Sequence, residues 1–142
     1  MKNDIGTFKV AVCAIILDKD NNTLITQRSF KREHHPGEWE VMTGRLDQGE
    51  GFIEALHREV KEELDIEVEP IAPINTFHFY RGEEKVEHVG VTYIGRWKGG
   101  NVKVDGFEEI AFKWVKLEEA LIIVKDESIK RDFKLTLEYL NK

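Results

Sequence analysis

The chain has little of several things, and each shortage excludes something. It holds one cysteine, Cys13, and three prolines among 142 residues. A lone thiol forms no intrachain disulfide, so a reducing compartment is the expectation. The longest fully apolar run, Val10 to Leu17, is eight residues. A bilayer-crossing helix needs roughly 20 such residues, so no membrane partner is expected. The opening Met-Lys-Asn-Asp-Ile-Gly lacks the charged-then-apolar order of a secretory leader, which suggests a soluble, cytoplasmic protein. Basic residues are also short: 21 Lys and Arg stand against 27 Asp and Glu, a net charge of −6. That balance speaks against polymeric nucleic acid as a partner. It leaves room for a small polyanion, because a bound metal can invert the local field.

What is present is ordinary for a globular chain, 41% hydrophobic and 34% charged. With no repeat, linker or low-complexity tract, residues 1–142 read as one domain. Thr7 to Asp18 is apolar and rich in β-branched residues, which predicts a buried strand. Asp18-Lys-Asp-Asn-Asn22 is turn chemistry leading to a return strand, Thr23 to Arg28. A calcium loop is excluded here, since Thr23 stands at the sixth position and Ser29 at the twelfth. Ser29 to Gly37 reads as a loop, and Trp39 to Met42 as a short extended piece. A helix is predicted from about Gly51 to Leu64, with Ile53, Leu56, Val60 and Leu64 as its apolar stripe. Glu54 and Arg58 then form a favourable i, i+4 pair.

Strands are predicted at Ile66 to Arg81, Lys85 to Lys98 and Ile110 to Val115, with turns at Gly82-Glu83-Glu84 and Gly99-Gly100-Asn101. Leu117 to Val124 and Asp126 to Asn141 read as helices, the second started by Glu127 or Ser128 and striped with Ile129, Phe133, Leu137 and Leu140. This order of strands and helices points to an α/β sandwich with a mixed sheet.

The central helix carries the chemistry. Glu59, Glu62 and Glu63 fall at i, i+3 and i+4, with Glu50 just ahead of the helix. Like charges at that spacing repel by a few tenths of a kcal/mol per pair, roughly the usual helix-pair term. A hard divalent cation is the natural counter-charge, because Mg²⁺ takes carboxylates, waters and substrate phosphates.

The full spacing is more specific. Gly44, five residues, Glu50, seven residues, then Arg58-Glu-Val-Lys-Glu-Glu-Leu-Asp-Ile66 resembles the signature box of the Nudix (MutT-like) hydrolases. That pattern is Gly-x5-Glu-x7-Arg-Glu-U-x-Glu-Glu-x-Gly-U, with U a bulky aliphatic residue. Residues 44–66 match it throughout except for Asp65 in place of the late glycine. The resemblance extends to Arg28 at a strand end, His35-Pro-Gly-x-Trp39 and a late strand carrying Trp114-Val115.

The resemblance implies a Nudix-type α/β/α sandwich with the box as a loop–helix–loop. It also implies Mg²⁺- or Mn²⁺-dependent hydrolysis of a phosphoanhydride in a nucleoside triphosphate or related nucleoside diphosphate derivative. The implied metal-facing groups are Glu59, Glu62, Glu63 and the Gly44 carbonyl. Glu59 is left between ligand and general base, and Glu62 also counts among the catalytic candidates. Arg58 is expected to orient the acids. Arg28 and Arg45 are the substrate-binding candidates, and Glu108 or Glu109 an extra base or ligand. Glu50 stands between a structural and a catalytic role. Asp65 is expected to end the helix in the left-handed conformation, at roughly 1 kcal/mol relative to glycine. His34 and His35 read as structural, Trp39 and Trp114 as core or pocket walls, and Cys13 as a small buried hydrophobe.

Three alternatives accompany this reading. One is an ADP-ribose or nucleotide-sugar diphosphatase; the stretch Tyr80 to Glu84 has no proline, which disfavours some subgroups recognised by one there. Another is an isopentenyl diphosphate isomerase, which needs a cysteine near its site. The third is a non-catalytic nucleotide-binding module, which would be expected to have lost a box glutamate. Nudix proteins are often dimers, so a homodimer is also an expectation.

Overall fold

The computed structural model describes residues 6–142, so most of the N-terminal stretch read for a leader lies outside the described residues. Among the described residues no helix is long and apolar enough to cross a membrane. The elements are β1 (Lys9–Leu17), β2 (Thr23–Arg28), β3 (Trp39–Glu40), β4 (Met42–Arg45), α1 (Phe52–Leu64), β5 (Glu67–Arg81), β6 (Val86–Gly99), β7 (Glu109–Val115), α2 (Leu117–Ile123) and α3 (Glu127–Leu140). The two shortest strands replace the single extended piece expected at residues 39–42.

The sheet runs β3-β2-β1-β6-β5, with β4 added to β1 and β7 to β2. It is mixed: β1 and β6 are parallel from Lys9↔His88 to Leu17↔Arg96, and the other pairs are antiparallel. The β1–β2 hairpin forks beyond its first pair, Leu17↔Thr23. Residues 39–45 fill the fork, β3 pairing with β2 and β4 with β1. This fork carries Gly44 to the working end of the sheet.

Strand alternation divides the core between the two faces. Val12, Ala14 and Ile16 pack under α1 with Leu56, Val60 and Leu64. Ile15 and Leu17 face α2 and α3 with Leu117, Val124 and Phe133. The expected stripe on α1 needs correction, since Ile53 is 41% exposed. Phe52 packs against the core instead, and Ala55 is fully buried. On the resulting 52/55/56/59/60/63/64 face, Glu59 and Glu63 flank buried aliphatic residues.

Two local expectations are also corrected. Glu54 does not pair with Arg58; its carboxylate accepts the Gly51 N–H at 3.1 Å and helps start α1. Asp126, rather than Glu127 or Ser128, caps α3, accepting the N–H groups of Ser128 and Ile129. Asp65 does end α1 at φ 57°, its N–H donating to the Lys61 carbonyl, and its carboxylate pairs with Lys61 and Lys103. The Asp18 turn is a hairpin turn as expected, with Asp18 accepting the Asp20 and Asn22 N–H groups at 2.9 Å.

One buried carboxylate ties α3 to the sheet. Asp132 accepts from Asn75 Nδ2 at 2.9 Å and from the Thr92 hydroxyl at 3.1 Å, and burial pushes its pKa up. Removing it leaves two donors without partners in a dry interface, a cost of about 1–3 kcal/mol. Asp132→Ala is therefore expected to lower the urea midpoint by that amount, and Asp132→Asn by less. An unchanged midpoint in Asp132→Ala would contradict this role.

Candidate active site

Gly44 lies in β4 opposite Val12, its Cα turned toward α1. A Cβ placed there would stand 2.3 Å from Glu59 Cγ and 2.6 Å from Glu59 Oε2. Any side chain there would displace Glu59, so the glycine of the box is a packing requirement of the glutamate in this position.

Arg58 organises the acids. Its Nε and Nη2 donate to the two oxygens of Glu50 at 2.6 and 2.8 Å, the forked geometry a guanidinium matches to a carboxylate. Nη2 also reaches the Arg45 carbonyl at 2.9 Å, while Nη1 donates to Glu59 at 2.8 Å and to Glu62 at 3.1 Å. Glu50 further accepts the Asp47 N–H at 2.7 Å. Arg58 and that N–H hold the Glu50 carboxyl down at about 2, and Glu50 in turn raises Arg58. In this arrangement Glu50 anchors the loop to the helix.

The remaining acids are crowded. Burial pushes the Glu63 carboxyl up to about 8, helped by Glu59, Glu108 and Glu40. Glu109 rises to about 9, first through burial and then through Glu40. The physical cause is shared: too many carboxylates and too little water around them. Arg32 offsets part of this, 3.6 Å from Glu109 and 3.9 Å from Glu40. Glu109 Oε2 is buried without a hydrogen-bond partner among the described residues. Glu40 and Arg32 were not among the sequence candidates. The available signal was a charged residue inside the otherwise apolar piece Trp39-Glu-Val-Met42.

The other candidates are placed as follows. Arg28 lines the cavity, but Nε donates to the His34 carbonyl at 2.8 Å and Nη1 to Glu40 at 3.2 Å. It therefore braces the 29–37 loop. Arg45, Glu108 and Glu109 also line the cavity, which encloses about 1190 Å³. His35 pairs with Glu38 at 2.9 Å, away from the acid cluster. Trp39 packs into the α2–α3 core and Trp114 into the α1 core beside Trp97. Cys13 is only half-buried by surface; its thiol lies 3.1 Å from the Thr43 hydroxyl, and desolvation pushes it up to about 12.

Among the described residues no three His, Cys, Asp or Glu side chains form a ready-made metal shell. That suits Mg²⁺, which takes one or two carboxylates and completes its shell with water and phosphate. The orphaned Glu109 oxygen and the crowding of Glu63 by Glu59, Glu108 and Glu40 fit such an ion.

Together, a mixed α/β sandwich and a glycine-cradled acidic helix at a cavity mouth define a phosphate-chemistry type of site. The sequence matches the family model of the NUDIX domain over residues 7–137, and the chain belongs to the Nudix family. It is 36% identical over 92 residues to the human 8-oxo-dGDP phosphatase NUDT18, covering 65% of this chain and 26% of that relative. It is 29% identical over 110 residues to an isopentenyl-diphosphate Delta-isomerase of Klebsiella pneumoniae (strain 342), covering 75% and 60%. The fold matches a MutT protein from Methanosarcina mazei Go1 with a TM-score of 0.75 at 24% identity, over 95% and 96% of the two chains.

Two outcomes are expected from this geometry. Gly44→Ala displaces Glu59 by on the order of 1 Å, and misplacement of that size costs about 100-fold in rate. Full turnover in Gly44→Ala would contradict the cradle. In chelator, Glu63 and Glu109 keep protons in the folded state that the unfolded chain releases near 4.5. Their contribution is present below that pH and is lost as pH rises to about 8 and 9. The melting temperature in EDTA should fall across this window and recover with Mg²⁺. A flat profile in EDTA would refute the crowding.

Proposed function

We propose that the protein is a metal-dependent pyrophosphohydrolase, cleaving a phosphoanhydride in a nucleoside triphosphate or related nucleoside diphosphate derivative. The observation that carries this reading is the Arg58-ordered set Glu50, Glu59 and Glu62, closed over Gly44 at the mouth of the cavity. Phosphoanhydrides persist in water because their negative oxygens repel nucleophiles, so the protein's task is charge control and positioning.

Glu59, Glu62, Glu63 and the Gly44 carbonyl are the groups that would hold Mg²⁺ or Mn²⁺. When bound, the ion would screen the phosphates and lower the pKa of water. Arg58 restrains Glu59 and Glu62 through its Nη1, limiting the rotamers they sample. Glu62 is the more exposed member, 60% exposed at its side chain against 13% for Glu59. Glu109, desolvated beside Glu40, is suited to take a proton, and Glu108 adds negative charge facing Glu63. Arg45 is the substrate contact favoured over Arg28, whose guanidinium is already engaged. The single thiol fits action in the cytoplasm, and the net charge of −6 fits a small nucleotide rather than a polymer.

An ADP-ribose or nucleotide-sugar substrate is the second reading within the same chemistry. The open cavity of about 1190 Å³, just above the upper end of about 300–1,000 Å³ for small-molecule sites, leaves room for it. The isomerase reading is disfavoured by Cys13. That thiol lies beside Thr43 with its pKa raised to about 12, a poor acid or nucleophile.

A panel of nucleotides assayed with Mg²⁺ for released phosphate or pyrophosphate tests the proposal. Turnover of at least one phosphoanhydride is expected, lost in EDTA and reduced about 100- to 10,000-fold by Glu62→Gln or Glu63→Gln. No turnover on any member sinks the hydrolase reading. Undiminished activity in both variants sinks the site assignment.

A further inference from the structure

The cavity is lined by both acids and bases, and the bases differ in whether they have partners. Three arginines among the acids are ion-paired: Arg28 with Glu40, Arg32 with Glu40 and Glu109, Arg58 with Glu50 and Glu59. Lys9, Arg45 and Arg81 line the same cavity, and among the described residues none has a carboxylate oxygen within 4.0 Å. Arg45 adjoins Gly44 beside the acids, whereas Lys9 and Arg81 are carried by β1 and β5, so two cations from separate strands line one cavity.

The strands beneath them are built to hold that arrangement. Lys9 of β1 lies opposite His88 of β6, and His88 opposite Phe79 of β5. The Phe79 and His88 rings stack at 4.7 Å with an 8° tilt, and Arg81 Cζ sits 5.2 Å from the centre of the Phe79 ring. His88 Nδ1 is 3.0 Å from the Val86 carbonyl, which can only accept. Nδ1 therefore carries the hydrogen, and in the neutral ring Nε2 is left as an acceptor. The ring stack orders Arg81 in advance, so less side-chain freedom is lost when an anion binds.

We propose that the part of the cavity lined by Lys9 of β1 and Arg81 of β5 binds a second phosphate of the substrate, one remote from the anhydride being cleaved. The substrate class is then a nucleotide phosphorylated on both sides of its nucleoside. Lys9 and Arg81 bind the remote phosphate through charge-assisted hydrogen bonds, and the Phe79–His88 stack forms a flat wall for the nucleoside. Anchorage there answers a difficulty at the acid end, where clustered carboxylates repel any anion that arrives without metal. The assignment rests on the phosphoanhydride reading of the acid end.

Adenosine and guanosine 3′,5′-bisphosphates, compared with their 5′-monophosphates, probe the site by calorimetry on the full chain with Mg²⁺. At least one bisphosphate should bind about tenfold more tightly than its monophosphate at low salt, a difference of about 1.4 kcal/mol. The advantage should shrink with added KCl. It should fall to within about twofold in Lys9→Ala and Arg81→Ala, and Arg81→Lys should recover part of it. Equal affinities, an advantage that survives both alanine variants, or no binding of either bisphosphate at millimolar concentration would overturn the proposal. None of the probes contains an anhydride, so the result is independent of turnover. Hydrolysis of plain triphosphates without the preference overturns this inference alone, and the preference without hydrolysis overturns only the enzymatic reading.

Discussion

Arg58 is the interaction on which the working end depends. One guanidinium joins the loop after β4, through the Arg45 carbonyl and Glu50, to two acids of the helix, Glu59 and Glu62. Without it, these three carboxylates would repel across a gap that, among the described residues, no other cation spans in this way. A lysine would supply the charge but not the planar fork that binds Glu50 at two points. The Glu50 carboxyl, held near 2, stays ionised under all ordinary conditions, so this anchor does not titrate with the rest of the site.

The second constraint is steric. Glu59 rests where a Cβ of residue 44 would be, so β4 and α1 can approach only because that residue is glycine. Gly44 reaches that position because the β1–β2 hairpin forks and β4 enters the gap against β1. Core packing on the same helix decides which acids are desolvated. Glu59 and Glu63 flank the Leu56, Val60 and Leu64 face, whereas Glu62 points to water. The same hydrophobic contacts that stabilise the helix therefore raise the Glu63 carboxyl. Local destabilisation from buried like charge is tolerated at functional sites when the surrounding packing over-determines it, as the Leu56, Val60 and Leu64 contacts do here.

Much of this was legible in the residues. The spacing from Gly44 to Ile66 identified the helix, its acids and the likeness to the Nudix hydrolases. Turn chemistry located both hairpins, and Asp65 was readable as a left-handed helix end. Errors came where partners were chosen by spacing alone. Glu54 sits at the right interval for Arg58, yet the free N–H of Gly51 is nearer, and Arg58 has better partners outside its own helix. Ile53 fits a helical period but lies in the first turn, where Phe52 is the residue that packs against the core.

By itself, the sequence determined what depends on local order: strand alternation, helix period, turn residues and the identity of the box glutamates. Tertiary structure alone decided what depends on segments far apart in the chain. Glu40, Arg32 and Glu109 form one cluster because β2 carries β3 on one edge and β7 on the other. Lys9, Phe79, Arg81 and His88 meet because β1, β6 and β5 lie side by side. Desolvation and charge crowding are sums over all neighbours in space, so no stretch of sequence reports them. For that reason the acids could be found by reading along the chain, and their unequal burial could not.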